Sequence, residues 1–288
     1  MTRKELRQRL EALAVRLLFG LFGAMPLDTA SGVAGWLARF IGPRLRVSKT
    51  ARRNLRAAFP RMGEAEIEPI VAGMWDNLGR VVGEFPHLER IARERVELIG
   101  AENIDLLRDD DRPGIFISAH LGNWEVNGAV AVQRGLPLHL VYRAANNPWV
   151  EDIYRRGRAD AALALIQKGS EGARRALDVL RKGGHLGMLV DQKMNDGVPI
   201  PFFGRDAMTA PAVAQFALRH NCPLVPARVE RLGGARFRLT VSPPLAMPHS
   251  GERHEDIRRL MTGINALVET WVRQTPDQWL WLHRRWPE

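Results

Sequence analysis

From about residue 96 onward, short apolar runs alternate with segments of helical spacing, and this alternation restricts the chain to an α/β architecture. Strand candidates lie at 96–99, 114–119 (Gly-Ile-Phe-Ile-Ser-Ala), 138–142, 185–190, 224–230 and 236–241. Helices are expected between and after them at 101–108, 123–133, 148–164, 171–181, 210–219 and 255–273. Strands joined through helices build a central, mostly parallel sheet flanked by helices, with functional groups at the strand C-termini. Upstream, 51–59 reads as a helix ended by Pro60. Residues 64–82 read as another, whose stripe of Ile67, Ile70, Val71, Met74, Trp75 and Leu78 is core.

Residues 1–42 differ. An apolar run of 11 residues, Leu17–Leu27, is broken at 28–31 and resumes to Ile41 with Arg39 inside it. Neither half reaches the roughly 18 apolar residues of a spanning helix. The whole of 17–38 carries a single charge, Asp28, and as one helix would reach about 33 Å. A tilted span kinked at Pro26, an interfacial hairpin and a cleaved leader all fit. The chain is therefore divided into 1–42, a membrane anchor or interfacial hairpin, and 43–288, the main domain. Eight basic residues between 39 and 61, with no acid among them, place that flank on the cytoplasmic side of a membrane, beside anionic headgroups.

The net charge of +10 calls for an anionic partner: nucleic acid, acidic lipid, a phosphorylated substrate or an acidic carrier protein. With 45% hydrophobic and 26% charged residues the chain is neither disordered nor a polytopic membrane protein. Cys222, the single cysteine, excludes an internal disulfide and any multi-cysteine metal site. No Walker loop, G-x-S-x-G elbow or H-x-x-x-H pair occurs, and no metal or cofactor is expected.

Four places can carry chemistry. His120 follows the strand at 114–119, with Glu125 five residues on. Five helical residues turn through about 500°, so the two meet only if His120 sits in the loop and Glu125 in the first helical turn. The carboxylate then orients one imidazole nitrogen and leaves the other as a base. Asp191-Gln192 follows the strand at 185–190 and faces the same rim if the strands run parallel; an Asp that merely starts a turn is the plainer reading. Val198–Gly204, with Phe202 and Phe203, is expected to be a stiff apolar loop that walls a lipid groove or plugs the core. Arg143, Asn147 and one or two of Arg155, Arg156 and Arg158 could meet a phosphate. Trp279, Trp281 and Trp286, beside Arg284 and Arg285, suit either a membrane interface or a docked terminal segment.

Together these segments resemble one family, the late acyltransferases of lipid A biosynthesis, within the glycerolipid acyltransferase superfamily. His120–Glu125 (H-L-G-N-W-E) is similar to its H-x4-D/E motif. The likeness extends through Arg53-Asn54-Leu55, Tyr142-Arg143 to Pro148, Asp191-Gln192, Pro201–Gly204 and the closing 276–286 segment. The resemblance implies a glycerol-3-phosphate acyltransferase-like fold and an inner-membrane enzyme working at the cytoplasmic face. It implies that acyl carrier protein donates a fatty acyl chain to a hydroxyl of a lipid A precursor, with no cofactor and no nucleic-acid partner. By the family's motif His120 is the general base and Glu125 its orienting partner. Arg143, Asn147, Arg158, Asp191, Gln192, Phe202 and Phe203 fall at substrate-binding positions. Related enzymes that acylate other glycolipids or phospholipids share much of this pattern, so the reaction is better specified than the acceptor. A catalytically inert basic protein that binds membrane or nucleic acid is the alternative of another class.

Overall fold

The computed structural model describes residues 2–158 and 164–286. Its helices are α1 (Arg3–Ala24), α2 (Leu27–Ile41), α3 (Ser48–Ala58), α4 (Glu64–Glu84), α5 (Leu88–Glu94), α6 (Glu102–Asp109), α7 (Val126–Gln133), α8 (Pro148–Gly157), α9 (Ser170–Arg181), α10 (Ala212–His220) and α11 (Arg253–Gln274). Its strands are β1 (Val96–Ile99), β2 (Gly114–Ser118), β3 (Leu138–Tyr142), β4 (Ala164–Gln167), β5 (His185–Leu189), β6 (Lys193–Phe202), β7 (Arg205–Thr209), β8 (Leu224–Gly233) and β9 (Arg236–Val241).

Among the described residues, seven strands form one sheet in the order β1-β9-β8-β2-β5-β3-β4. All neighbours run parallel except β8 and β9, which make an antiparallel hairpin. The fold is therefore the expected α/β arrangement with a mostly parallel central sheet. All five residues of β2 are buried, as a strand covered on both faces requires. Phe116, Leu138, Val225, Ala227 and Leu239 pack under α5–α7 on one face. Ile115, Ile117, Leu186 and Leu224 pack under α9–α11 on the other.

The structure corrects two readings of the sequence. Residues 193–209 form a β-hairpin rather than a loop. Its two-residue turn is Phe203-Gly204, at φ 53° and 69°, between the paired Phe202 and Arg205. Positive φ at both positions is the turn that matches strand twist. It is unfavourable for Phe203, which is held there by its packing against Phe59 and Trp281. The helix expected over 148–164 ends at Gly157, and Ala164 already begins β4. The last part of that expected helix, 159–163, lies outside the described residues.

The N-terminal segment is two helices, α1 and α2, broken at Met25-Pro26. Among the described residues no helix is long and apolar enough to cross a membrane. α2 lies against α4 through small residues. A Cβ on Gly79 would come within 2.3 Å of the Ala34 carbonyl oxygen, so only glycine allows this approach. The outer side of α1 carries Leu6, Leu10, Leu13, Leu17 and Leu21, a stripe at helical spacing that is exposed (64% at Leu17). Trp36 (64%), Phe40 and Ile41 continue the exposed apolar surface on α2. The charge of the 39–61 stretch is partly answered at home, because Arg52 and Arg56 pair with Glu68 and Glu64 of α4. Trp279, Trp281 and Trp286 are buried, so the closing segment is docked by its tryptophans and presents none of the three to a membrane.

Candidate active site

His120 lies one residue beyond Ala119 in the loop that leaves β2, and Asp191 lies in the loop that leaves the neighbouring parallel strand β5. Parallel pairing brings both loops to the same sheet edge. His120 Nδ1 is 2.8 Å from Asp191 Oδ1, and the His120 backbone N–H donates to Asp191 Oδ2 at 2.8 Å. The Trp279 indole N–H donates to the same Oδ2, also at 2.8 Å. Asp191 is buried. Burial alone would raise its pKa. The charge and hydrogen bonds of His120, with help from Trp279, outweigh burial and hold the carboxyl well below the usual carboxylate range.

The tautomer of His120 follows from the bonds around Gln192. The Lys168 ammonium can only donate, and it lies 3.4 Å from Gln192 Oε1. The amide nitrogen of Gln192 therefore faces the other way, 3.2 Å from His120 Nε2 and 3.2 Å from His283 Nε2. Both imidazoles accept at Nε2. His120 thus carries its proton on Nδ1, toward Asp191, and keeps a lone pair on Nε2, the arrangement of a general base. His283 stays neutral. Burial, followed by the nearby His120, pushes its pKa down to about 4.

The loop is fixed by long-range bonds. Leu280 N–H donates to the His120 carbonyl, Gly122 N–H donates to the Gln278 carbonyl, and Leu121 and Trp279 form an antiparallel bridge. Gly122 adopts φ 56°, and a Cβ there would lie 2.7 Å from the Val229 carbonyl oxygen, so this turn of the loop needs glycine.

The expected bond between His120 and Glu125 is corrected by these contacts. The carboxylate that holds His120 is Asp191, and Glu125 is held by Arg158. Arg158 Nε reaches Glu125 Oε2 at 2.8 Å, and Arg158 Nη2 reaches Oε1 at 2.5 Å. The guanidinium lies 5.5–5.9 Å from the ring centroids of Tyr154, Tyr142 and Phe85. Burial would lower the pKa of Arg158; the bonds and charge of Glu125 more than offset it and keep the pair ionic. The five-residue spacing puts Glu125 at the start of α7, on the wall of the same cavity but engaged elsewhere.

That cavity, about 180 Å³, opens beside His120. Its rim carries Trp124, Glu125, Arg143, Arg158, Lys168 and Gln192. Its interior is lined by Ile104, Phe116, Leu138, Leu140, Leu239 and Val241, between the sheet and α6–α7. An apolar cavity of about 150 Å³ already admits benzene, so this one takes hydrocarbon. Gly187 in the middle of β5 contributes floor without a side chain.

Arg143 and Gln192 thus line the cavity, as do Arg158 and Glu125. Four other expected substrate contacts are not there. Asp191 is buried against His120 and does not line the cavity. Asn147 is buried; its side chain accepts from Trp149 N–H at the start of α8 and donates to Gln8 and Glu11 of α1, bracing one helix on another. Phe202 and Phe203 are packed among Phe59, Trp279, Trp281 and Trp286, behind Asp191 rather than in front of it. Sequence reasoning did not single out Lys168, or give roles in the site to Trp279 and His283. Only the tryptophan and histidine content of 279–286 hinted at the last two.

Comparison with known proteins gives the family. Residues 3–288 match the bacterial lipid A biosynthesis acyltransferases. A lipid A biosynthesis palmitoleoyltransferase of Escherichia coli K12 is 26% identical over 246 residues, which is 82% of this chain and 77% of that protein. A lauroyltransferase of the same pathway and strain is 26% identical over 249 residues, 83% and 79% respectively. Among solved structures, the 1-acyl-sn-glycerophosphate acyltransferase of Thermotoga maritima aligns over 91% of this chain and 98% of its own, with a TM-score of 0.39 and 13% identity. Because the family match runs over residues 3–288, the chain belongs to the bacterial lipid A biosynthesis acyltransferase family.

Proposed function

We propose that this acyltransferase moves a fatty acyl chain from the thioester of acyl carrier protein to a hydroxyl of a lipid A precursor, at the cytoplasmic face of the bacterial inner membrane. The observation that carries the reading is a histidine whose Nε2 is free to accept a proton, held by a buried aspartate at the mouth of an apolar slot.

The acyl tail lies in the slot, which brings its thioester carbonyl to the rim. The acceptor hydroxyl takes the place of the Gln192 amide at His120 Nε2. As the oxygen attacks the carbonyl carbon, its proton passes to Nε2, and Asp191 stabilises the resulting imidazolium. Arg143 and Lys168 supply positive charge around the mouth, which the tetrahedral oxyanion needs. On collapse the C–S bond breaks, the new C–O bond remains, and the imidazolium returns its proton to the leaving thiolate. The atoms balance with no cofactor and no covalent acyl-enzyme.

His120→Ala tests this. Transfer of a labelled acyl chain from acyl carrier protein to a phosphorylated glucosamine-disaccharide lipid should fall at least ~10³-fold, with the circular dichroism of the fold unchanged. Near-normal turnover by the purified variant would refute the base assignment.

The exposed leucine stripe of α1 and the Trp36–Ile41 surface of α2, flanked by Arg3, Lys4, Arg7, Arg39 and Arg46, fit an anionic bilayer surface rather than a span across it. α1 braces α8 beside the cavity rim, so docking of this surface would bring the slot to the lipid. Leu13→Glu with Leu17→Glu should abolish flotation with vesicles containing phosphatidylglycerol, while wild-type flotation weakens in high salt. Unchanged flotation of the double variant would exclude this surface as the contact.

A further inference from the structure

A second buried polar cluster lies behind the catalytic loop, away from the cavity. Glu84, the last residue of α4, is 0% exposed. A carboxylate at a helix C-terminus opposes the helix dipole, so the position is unfavourable unless other groups answer it. Here Arg231 of β8 does so, with Nη1 2.5 Å from Oε1 and Nη2 3.0 Å from Oε2. Ser31 Oγ donates to Oε1 at 2.7 Å, and Asn123 Nδ2 donates to Oε2 at 2.9 Å.

Two of these partners, Asn123 and Arg231, lead to the loop between β2 and α7. Asn123, itself fully buried, accepts the Glu125 backbone N–H on its Oδ1 at 3.2 Å. Arg231 Nε donates to Asn77 Oδ1 at 2.8 Å, and Asn77 Nδ2 donates to the Gly122 carbonyl at 2.9 Å. The backbone of Arg231 is bonded in both directions to the side chain of Gln278, whose carbonyl accepts from Gly122 N–H. Gly122, Asn123 and Glu125 are therefore fixed by one buried ion pair that touches no part of the cavity.

We infer that Glu84 is a positioning residue for acyl transfer: with Arg231 it clamps the His120–Glu125 loop, so that His120 meets both Asp191 and the substrate. The inference rests on the acyl-transfer reading above. Ser31 of α2 offers an internal contrast, because it bonds the same carboxylate and otherwise meets Arg80 of α4, away from the loop.

Glu84→Gln, Ser31→Ala and the uncharged pair Glu84→Met with Arg231→Met are to be compared by kcat, KM for the acyl donor, thermal stability and pH profile. Replacing a buried ion pair by apolar groups of similar volume usually leaves a folded protein, so the double variant keeps the test open if Glu84→Gln is unstable. A misplaced loop costs about 10²-fold. The expected result is that loss in kcat for Glu84→Gln and for the folded double variant, with donor KM and the acid limb of the pH profile unmoved and Ser31→Ala within about 3-fold of wild type. A purely structural strap predicts the opposite split: lowered melting temperature, but full kcat per folded molecule well below it. That outcome, or full activity of the double variant, overturns the inference alone. Absence of transfer by the wild-type enzyme would instead overturn the proposed function.

Discussion

Asp191→Asn should lower kcat by about 10⁴-fold while leaving the protein folded, because it forces His120 into the wrong tautomer. Oδ2 of Asp191 accepts two N–H groups, from the His120 backbone and from Trp279. An asparagine must turn its carbonyl oxygen to that site, since an NH₂ there would face two donors. Its amide nitrogen is then left at the Oδ1 position, 2.8 Å from His120 Nδ1. Nδ1 must become the acceptor and the ring proton moves to Nε2, where the lone pair was needed. The bonds to residue 191 are conserved in number and only the Gln192 contact at Nε2 is given up, so the fold is kept. Steady-state transfer assays measure the rate, and ¹⁵N NMR of the histidine ring would show the proton on Nε2. A loss smaller than about 10-fold would mean that Asp191 does not orient the base.

Glu125→Gln should behave differently, through stability. It leaves Arg158 charged and buried among three aromatic rings without its counter-ion; the two side chains are only 18% and 10% exposed. Breaking one side of such a pair costs about 3–5 kcal/mol, whereas removing both charges is often close to neutral. Glu125→Gln alone should therefore lose about that much in denaturant unfolding, and Glu125→Gln with Arg158→Met should regain most of it. If Glu125 were instead the partner of His120, the single variant would invert the tautomer at almost no cost in stability, and adding Arg158→Met would bring further loss.

The contrast between these carboxylates shows where sequence reasoning reached its limit. Strand–helix alternation with apolar periodicity was sufficient for the sheet, because each buried strand is a short local pattern. It also placed His120 and Asp191 on one rim, since both directly follow strands that turned out to be parallel neighbours. Which acid holds the imidazole was not legible. Glu125 is near in the chain, but local spacing does not report that Arg158 claims it, nor that Asp191 arrives from 71 residues away. Phe202 and Phe203 illustrate a related limit. Aromatic composition gives apolarity but not the side on which it is used, and a hairpin rather than a loop turned both rings into the core. Lys168 carried no local signal, because its part depends wholly on the amide of Gln192.

The docking of 278–283 has a consequence for the order in which this enzyme matures. Asn54 binds the His283 carbonyl across 229 residues of chain, and Trp279 reaches Asp191 across 88. Contacts of such sequence separation close late, after loop entropy has been overcome. A folding intermediate whose closing segment has not yet docked lacks the indole that fixes the aspartate. Catalytic competence would then appear after secondary structure, as a distinct final phase of refolding.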